Sequence, residues 1–289
     1  MQKLTASFFI LIASISYGSL GIVAKFAYSD GVSPNMLALS QMFFGLLFFM
    51  LLKPQKLKKF FKVPPKTALL LGIGGSMSAI TAYFYYESLE VLSASLAIIM
   101  LFQFVWIGLA LELWRQKRAP TKIEVISILL CYLGTYLSVG VGQDMDGKMY
   151  GLFLGFLSGG AFAVYIFFTS TFCLEEESDA RAFWTILSAF VSILILSALG
   201  LDFSNIATIL QWGAICGVLG VLIPFYIYAV FSPHIGASTT SLIASAELPS
   251  ALILSALLLD EKLGVYQIIG SLFVLCAVFV VFAAEAKAK

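Results

Sequence analysis

Long uncharged runs of apolar residues recur along the whole chain. Each has about 20 residues, the length that a helix needs to cross a hydrocarbon layer about 30 Å thick. Lipid offers backbone groups no hydrogen-bond partner, whereas an α-helix satisfies its own groups, so the runs predict transmembrane helices. Strands of a membrane barrel are about half as long, which excludes a barrel. We predict ten spans, at residues 4–24, 33–52, 67–86, 91–111, 125–143, 149–174, 182–201, within 203–232, 237–259 and 263–284.

The composition also indicates lipid as the solvent. Hydrophobic residues make up 61% of the 289 residues and charged residues 11%, whereas about a quarter of a soluble domain is charged. A net charge of +1 argues against a nucleic-acid partner. The four cysteines lie in or beside apolar runs without paired spacing, so we predict neither a disulfide framework nor a metal site. We expect a lipid bilayer as the surroundings and no cofactor.

Lysine and arginine concentrate in alternate connections, and cytoplasmic loops are enriched in both. Six lysines lie in residues 53–66 and four cations in residues 115–122. With both termini in the cytoplasm, fourteen of the seventeen cations fall on the cytoplasmic side. We therefore predict a multi-pass protein of the cell inner membrane with cytoplasmic termini. The acidic residues 175–179 would face the same side, in a loop.

The two halves of the chain have similar patterns at an offset of about 143 to 145 residues. Ser93-Ala94-Ser95 opens the fourth run, and Gly236-Ala237-Ser238 opens the ninth. We predict two units, residues 1–143 and 144–289, with five spans each. Because five is odd, the second unit enters the membrane from the opposite side, and the units are related by a pseudo-two-fold axis in the membrane plane. The predicted fold is an all-α integral membrane protein of about ten transmembrane helices, arranged as two inverted five-helix repeats.

Sequence motifs in both halves resemble those of EamA-type members of the drug/metabolite transporter superfamily, over nearly the whole chain. Glu247-Leu248-Pro249 followed by Glu261 in LLLDEKLG resembles the family's motifs around the ninth and tenth helices. SYGSLGIVAKF followed by GVSP resembles the first helix and the start of the second, with Lys25 at the family's lysine position. The resemblance implies transport of a small solute. It also implies a site near the membrane midplane between the first, third, fourth, sixth, eighth and ninth helices.

Four positions depart from the family pattern. Tyr17 stands where tryptophan is usual, Gln41 where arginine is common, Trp106 near an expected proline, and Arg118 where glutamate is common. Family members carry amino acids, amines, sugars and other metabolites, so the resemblance does not name the substrate of this chain.

Glu247 lies near the middle of the ninth run, where a charge costs about 2.5 to 3.5 kcal/mol. Desolvation favours the neutral carboxyl, so Glu247 either binds a cationic group or a proton, or forms a structural hydrogen bond. Pro224 and Pro249 each remove a helical donor and predict kinks in the eighth and ninth spans. A packed bend without a binding role is the alternative for both prolines.

Further polar or amphipathic side chains in or beside the runs are candidates for substrate binding. Glu87 lies four residues after Tyr83 on one helix face but near the outer boundary, where a charge reaches water. Lys25 is also near an outer end and can extend to the interface. Interhelical bonding is the alternative for Gln103, and packing for the aromatic rings. The full candidate set for substrate binding is Glu247, Tyr17, Tyr83, Gln103, Trp106, Tyr226, Glu87 and Lys25.

Catalytic patterns are missing from the sequence. The six aspartates lie in predicted loops, His234 is the single histidine, and no phosphate-binding Gly-Lys-Ser/Thr loop occurs. We predict no enzymatic activity, but a secondary transporter that moves a small metabolite, such as an amino acid or amine, by alternating access. Export is favoured over import, and the driving force is a proton gradient or a solute gradient. The alternatives are an efflux carrier for drugs or cationic compounds and, more remotely, a receptor or intramembrane enzyme.

Glycines spaced four apart, at 151, 155 and 159 and at 213 and 217, allow helices to approach closely. Such close packing serves contacts within one chain or between two copies in a homodimer.

Overall fold

The computed structural model describes residues 2–140, 148–198, 200–202, 204–259 and 263–287, and within these ranges the chain forms helices and no strand. The predicted boundary at residue 144 and the motif residue Glu261 lie outside them. Besides α-helices, the chain contains a 3₁₀ turn at Pro54–Lys56 and a π-helix at Val218–Leu222. The α-helices are α1 (Gln2–Gly18), α2 (Leu20–Ser29), α3 (Pro34–Leu52), α4 (Leu57–Phe60), α5 (Pro65–Val91), α6 (Ala94–Leu101), α7 (Phe104–Gln116), α8 (Lys122–Gly140), α9 (Met149–Thr171), α10 (Ser178–Leu196), α11 (Ile206–Gly217), α12 (Ile223–Ala244), α13 (Glu247–Leu258) and α14 (Val265–Lys287).

Seven helical runs among the described residues are long and apolar enough to cross a membrane. The seventh, Ile206–Leu258, covers both the eighth and the ninth predicted spans, and Val265–Ala277 is a shorter apolar helix. The all-helical membrane fold is therefore confirmed. The count of ten spans and the inverted relation of the halves stay predictions. The seven runs are Lys3–Ser29, Pro34–Leu52, Pro65–Val91, Leu96–Gln116, Met149–Thr171, Ser178–Leu196 and Ile206–Leu258.

The longest run is broken at two places by local backbone chemistry. Gly236 has φ 79° and ψ 167°, a conformation that glycine adopts without steric cost, and it interrupts α12. Pro233, three residues earlier, has no N–H to donate to the carbonyl of Ala229. A second break at Ser245 and Ala246 separates α12 from α13. The chain thus changes direction beside the residues at which the ninth span is predicted to begin.

Helices from the first and second parts of the chain pack against one another reciprocally. The long helix α5 lies against α9 and α10, while α12 lies against α1. The helix α3 contacts α11 and α10, and α8 runs along α14. As a result of this packing, helices from both parts of the chain surround the centre of the bundle.

The glycine steps predicted from the sequence make close contacts within this chain. A Cβ atom at Gly159 would overlap the carbonyl of Leu101, so α9 and α6 meet backbone to backbone. Gly151 and Gly155 lie instead against the side chains of Leu92 and Met100, with no room for a further Cβ atom. Close approach increases the van der Waals contact that holds helices together in lipid.

One end of the bundle, here called the lysine-rich side, contains the connection between α3 and α5. Lys53 and Lys56 contact the carboxylate of Asp179 at 3.3 and 2.6 Å, and Lys59 contacts Glu177 at 3.3 Å. Asp179 was predicted in a loop but lies in the first turn of α10, where a carboxylate is favoured. The acidic stretch and the lysines therefore share one side of the bundle.

Candidate functional site

A narrow cavity of about 40 Å³ lies between helices from both parts of the chain. Only a few water molecules fit between the side chains that line it. The lining comes from α1, α2, α3, α5, α6, α9, the π-helix and α13. It therefore includes elements of both sequence repeats, and α3 joins the helices that the family resemblance implies. The lining residues are Tyr17, Leu20, Gln41, Met42, Ser78, Thr81, Ala82, Tyr85, Tyr86, Leu101, Phe162, Gly220 and Glu247.

Glu247 is the acidic group of this cavity. The break at Ser245 and Ala246 makes Glu247 the first residue of α13, and its side chain is only 3% exposed. Among the described residues, nothing forms a hydrogen bond with its Oε2 atom. The backbone N–H groups of Ser245, Ala246 and Leu248 all donate to carbonyls of the preceding turn. One oxygen of this buried carboxyl is therefore left without a hydrogen-bond partner among the described residues.

The two predicted kink residues lie in the first turns of helices beside irregular backbone. Pro224 is the second residue of α12 and follows the π-helix Val218–Leu222. Pro249 is the third residue of α13 and follows the break after Ala244. A missing N–H costs little in a first turn, since that group has no partner within the helix. Both irregular segments border the cavity, through Gly220 and Glu247.

Hydroxyl groups on the α5 wall donate to oxygen atoms of the protein. Tyr86 donates to Oε1 of Gln41, and both side chains are buried. The Thr81 hydroxyl donates to the carbonyl of Met77 at 2.8 Å. Since a hydroxyl that donates its hydrogen keeps its lone pairs, these groups present acceptors to nearby solutes.

Six aromatic side chains pack next to the cavity on the lysine-rich side. We call them the aromatic cluster. The ring of Tyr17 lies 5.4 Å from that of Phe162, edge to face, and 6.0 Å from that of Tyr228. The helix α9 ends at Thr171, next to the acidic stretch on the lysine-rich side, and Tyr165 lies nearer than Phe162 to that end. The helix α5 begins on the lysine-rich side, and the cavity is lined by its second half, which lies farther from that side. The aromatic cluster therefore lies between the cavity and the lysine-rich side. The cluster comprises Tyr17, Phe104, Phe162, Tyr165, Phe225 and Tyr228.

Two of the substrate-binding candidates from the sequence, Glu247 and Tyr17, meet in the cavity. Tyr83 and Glu87 also lie on α5, but neither lines it; both are partly buried. Their face of α5 neighbours the face that lines the cavity. A stripe of polar and small residues at 78, 81, 82 and 85, with helical spacing, was the signal that the sequence offered for the lining face.

The remaining candidates lie away from the cavity. Trp106 is 38% exposed, and its indole nitrogen donates to Oε1 of Gln103 at 2.9 Å. Tyr226 lies in a separate groove, with the ammonium of Lys53 5.2 Å from its ring centre. The amine of Lys25 donates to the carbonyls of Leu89 and Leu92, at 2.5 and 2.7 Å.

Lys25 therefore ties α2 to the end of α5, where helix carbonyls lack intrahelical donors. The locations of the candidate residues do not by themselves test whether they bind a substrate. Their binding roles therefore stay predictions.

Arg181, which the sequence interpretation counted among the cations of the cytoplasmic side, is buried in the bundle. It is 5% exposed and donates to the carbonyls of Thr169, at 3.4 Å, and of Ala229. Ala229 is the residue whose carbonyl loses its helical donor to Pro233. Arg181 thus replaces the N–H that the proline lacks, and it also meets the last turn of α9.

Metal ligands do not assemble in the described part of the chain, where no three His, Cys, Asp or Glu side chains lie together.

Three comparisons place these features among known proteins. Residues 4–140 and 149–283 each match the sequence profile of the EamA-like transporter family. An uncharacterized inner membrane transporter of Salmonella typhimurium, YicL, is 24% identical over 281 residues, which cover 94% of this chain and 93% of YicL. A crystal structure with 14% sequence identity superposes with a TM-score of 0.77 over 99% of both chains. That last similarity shows the fold alone.

Proposed function

Because this chain belongs to the EamA-like transporter family, the family that its sequence motifs resemble, we propose that it is a secondary carrier for a small solute. It works by alternating access in the inner membrane. The family and the inner membrane transporter of Salmonella have membrane transport in common. Substrate binding in the central cavity and coupling through Glu247 are the specific parts of the proposal.

The observation that carries the proposal is the position of the cavity. It lies where α1, α3 and α5 of the first repeat meet α9 and α13 of the second. A carrier needs its site at such an interface, because tilting of one half against the other then exposes the site to each side in turn. The buried carboxyl of Glu247 gives the site its chemical function, since ionisable groups within membranes are costly to retain without a role.

Two features support an inverted repeat. The segments Ala94–Leu101 and Phe104–Gln116 flank a short break, and so do Ala237–Ala244 and Glu247–Leu258, with starting residues 143 positions apart (Ala94 and Ala237). The packing of α5 against α9 is mirrored by that of α12 against α1. Equivalent breaks and reciprocal packing are what two similar units of opposite orientation would produce.

The aromatic cluster supports a conformation that is closed on the lysine-rich side. Tyr165 and Tyr228 are fully buried between the cavity and that side. The distribution of lysines assigns this side to the cytoplasm, together with both termini. Transport then requires that the cluster separate, which would occur as α1, α9 and α12 move apart.

Proton coupling follows from the same carboxyl. A buried glutamate without an ion-pair partner can hold a proton in one step and a solute in another, so that the two exchange. A pH gradient would then drive solute movement through Glu247.

The test is transport in proteoliposomes that contain the purified protein. A panel of amines, amino acids and sugars is measured in both directions, with and without a pH gradient. Wild type is compared with Glu247→Gln and with the matched control Glu90→Gln, which neutralises an exposed carboxyl of α5. We expect gradient-dependent transport in wild type and in the control, and its loss in Glu247→Gln. Equal rates and equal pH dependence in all three proteins would exclude Glu247 as the coupling group, and no transport of any compound would refute the carrier function.

A further inference from the structure

We propose that the central cavity is selective for small protonated amines that have N–H donors and no carboxylate. The proposal rests on the carrier function above and narrows its substrate class. Its basis is the charge and hydrogen-bonding character of the cavity, which the overall family assignment leaves open.

The charge of the cavity has one sign. Glu247 contributes a carboxyl whose Oε2 atom has no hydrogen-bond partner among the described residues. No lysine, arginine or histidine is among the described side chains that line the cavity. Two cations of the bundle donate elsewhere: the partly buried Lys25 to the carbonyls of Leu89 and Leu92, and the buried Arg181 to those of Thr169 and Ala229. A solute with one positive charge would neutralise the site.

The neutral groups of the cavity add acceptors and aromatic faces. The hydroxyls of Thr81 and Tyr86 donate to protein oxygens, so their lone pairs remain for a donor from the solute. Tyr17 of α1 and Phe162 of α9 contribute rings to the same cavity. Cations bind favourably over aromatic faces, and the effect grows where water is excluded. The amide nitrogen of Gln41 adds a donor, but a neutral one.

A carboxylate on the solute would be unfavourable in this cavity. In a zwitterionic amino acid, the carboxylate lies one carbon from the ammonium group, so binding of the ammonium to Glu247 brings two like charges together. No cation of the lining would compensate. A buried charge without a partner is strongly disfavoured. The site therefore discriminates against amino acids relative to the amines of the same skeleton.

The N–H donors of the solute matter for the same reason. A quaternary ammonium carries the same charge but cannot donate to Oε2 of Glu247 or to the Thr81 oxygen. A site whose polar atoms are buried discriminates against an analogue that leaves them unpaired. The narrow cavity also favours the slimmer head group of a primary amine.

Three matched compounds test the selectivity: phenethylamine, phenylalanine and N,N,N-trimethylphenethylammonium. They share the aromatic skeleton and differ only in the carboxylate or the N-methyl groups. Proteoliposome transport of each is measured for wild type, Glu247→Gln and Glu90→Gln, together with competition between the compounds. We expect phenethylamine to be preferred over both analogues by about tenfold or more, and its transport to be lost only in Glu247→Gln.

The outcomes separate the two proposals. Comparable transport of phenylalanine or of the trimethyl compound would overturn the amine selectivity, as would phenethylamine transport that persists in Glu247→Gln. If a sugar or amino acid of the wider panel is transported and none of the amines is, the selectivity is wrong while the carrier function stands. If no compound is transported, both proposals fail.

Discussion

Glu247 and Arg181 are both ionisable side chains buried in an apolar bundle, but their surroundings differ. Arg181 donates through its two terminal nitrogens to the carbonyls of Thr169 and Ala229, at a helix end and beside a proline, and only its Nε atom lacks a partner among the described residues. Glu247 lies at the start of α13, against a cavity, with Oε2 lacking a partner among the described residues. A buried charge that is held by the protein stabilises its fold, whereas one that is left without a partner is available to a ligand. Burial alone therefore does not identify a transport residue; the partners do.

The largest effect is expected at Glu247. The Glu247→Gln variant keeps the shape of the side chain but can neither carry charge nor exchange a proton at neutral pH. We expect transport to fall about 100-fold, in keeping with the loss of a charge-assisted hydrogen bond, and the melting temperature not to fall. Transport assays and thermal unfolding in detergent measure the two effects. A large loss of melting temperature with near-normal transport would assign Glu247 the structural role instead.

Arg181→Met should show the opposite pattern. The substitution removes the donor to the Ala229 carbonyl, and an unsatisfied buried acceptor costs about 1–3 kcal/mol. We expect lower thermal stability, and transport that falls only in proportion to the folded protein. Pro233→Ala restores a backbone N–H that can donate to the Ala229 carbonyl. In the double variant, the loss of stability caused by Arg181→Met should therefore be smaller. If Arg181→Met instead abolished transport in fully folded protein, the contrast with Glu247 would be wrong.

Lys25→Met provides an intermediate case. Lys25 has the family's lysine position but donates to the carbonyls of Leu89 and Leu92. We expect a loss of about 1–3 kcal/mol in stability, since two carbonyls lose their charged donor. The selectivity between phenethylamine and phenylalanine should remain unchanged. A change in selectivity at normal stability would bring Lys25 into the binding site.

The smallest effect is expected at an ion pair outside the spans. Arg118 contacts both carboxylate oxygens of Glu124, at 2.8 and 2.5 Å. Hydrogen bonding to Arg118 lowers the pKa of Glu124 from 4.5 to about 2. A carboxyl with a lowered pKa stabilises the folded state above about pH 4.5, and this contribution is lost as the pH falls toward 2. Partly exposed pairs contribute little, so Glu124→Gln should cost about 1 kcal/mol or less at pH 7.

Unfolding of wild type and Glu124→Gln at pH 7 and at pH 3 tests the sign of this effect. The difference between them should be smaller at pH 3, because Glu124 is then mostly protonated in the unfolded state, while its folded-state pKa of about 2 keeps the pair with Arg118 largely ionised. A difference that grows at acidic pH would contradict the assignment. The Glu124→Gln variant should have the same solute selectivity as wild type. This result would distinguish the surface ion pair from the buried carboxyl of Glu247, whose loss is expected to abolish transport.

The sequence by itself determined that the chain crosses the membrane repeatedly as helices, because runs of apolar residues have only one way to satisfy their backbone in lipid. It also identified the family, and Glu247 as the charge that most needs an explanation. These conclusions depend on local composition and residue spacing, which can be read without knowing how the helices pack against one another. The polar and small stripe at 78, 81, 82 and 85 was equally present in the sequence, but the neighbouring stripe around Tyr83 looked similar.

Only the tertiary structure decided which of these faces meets Glu247. Trp106 turns to the outside and bonds Gln103, while Tyr86 and Gln41, from different helices, bond each other beside the cavity. Arg181 reaches a carbonyl on α12 that Pro233 leaves open, a contact between residues 48 positions apart. Helix rotation and the neighbours of each face are set by packing across the whole bundle, so spacing along one helix cannot fix them. For that reason the sequence yielded the membrane fold and one central residue, and the packing yielded the rest of the site.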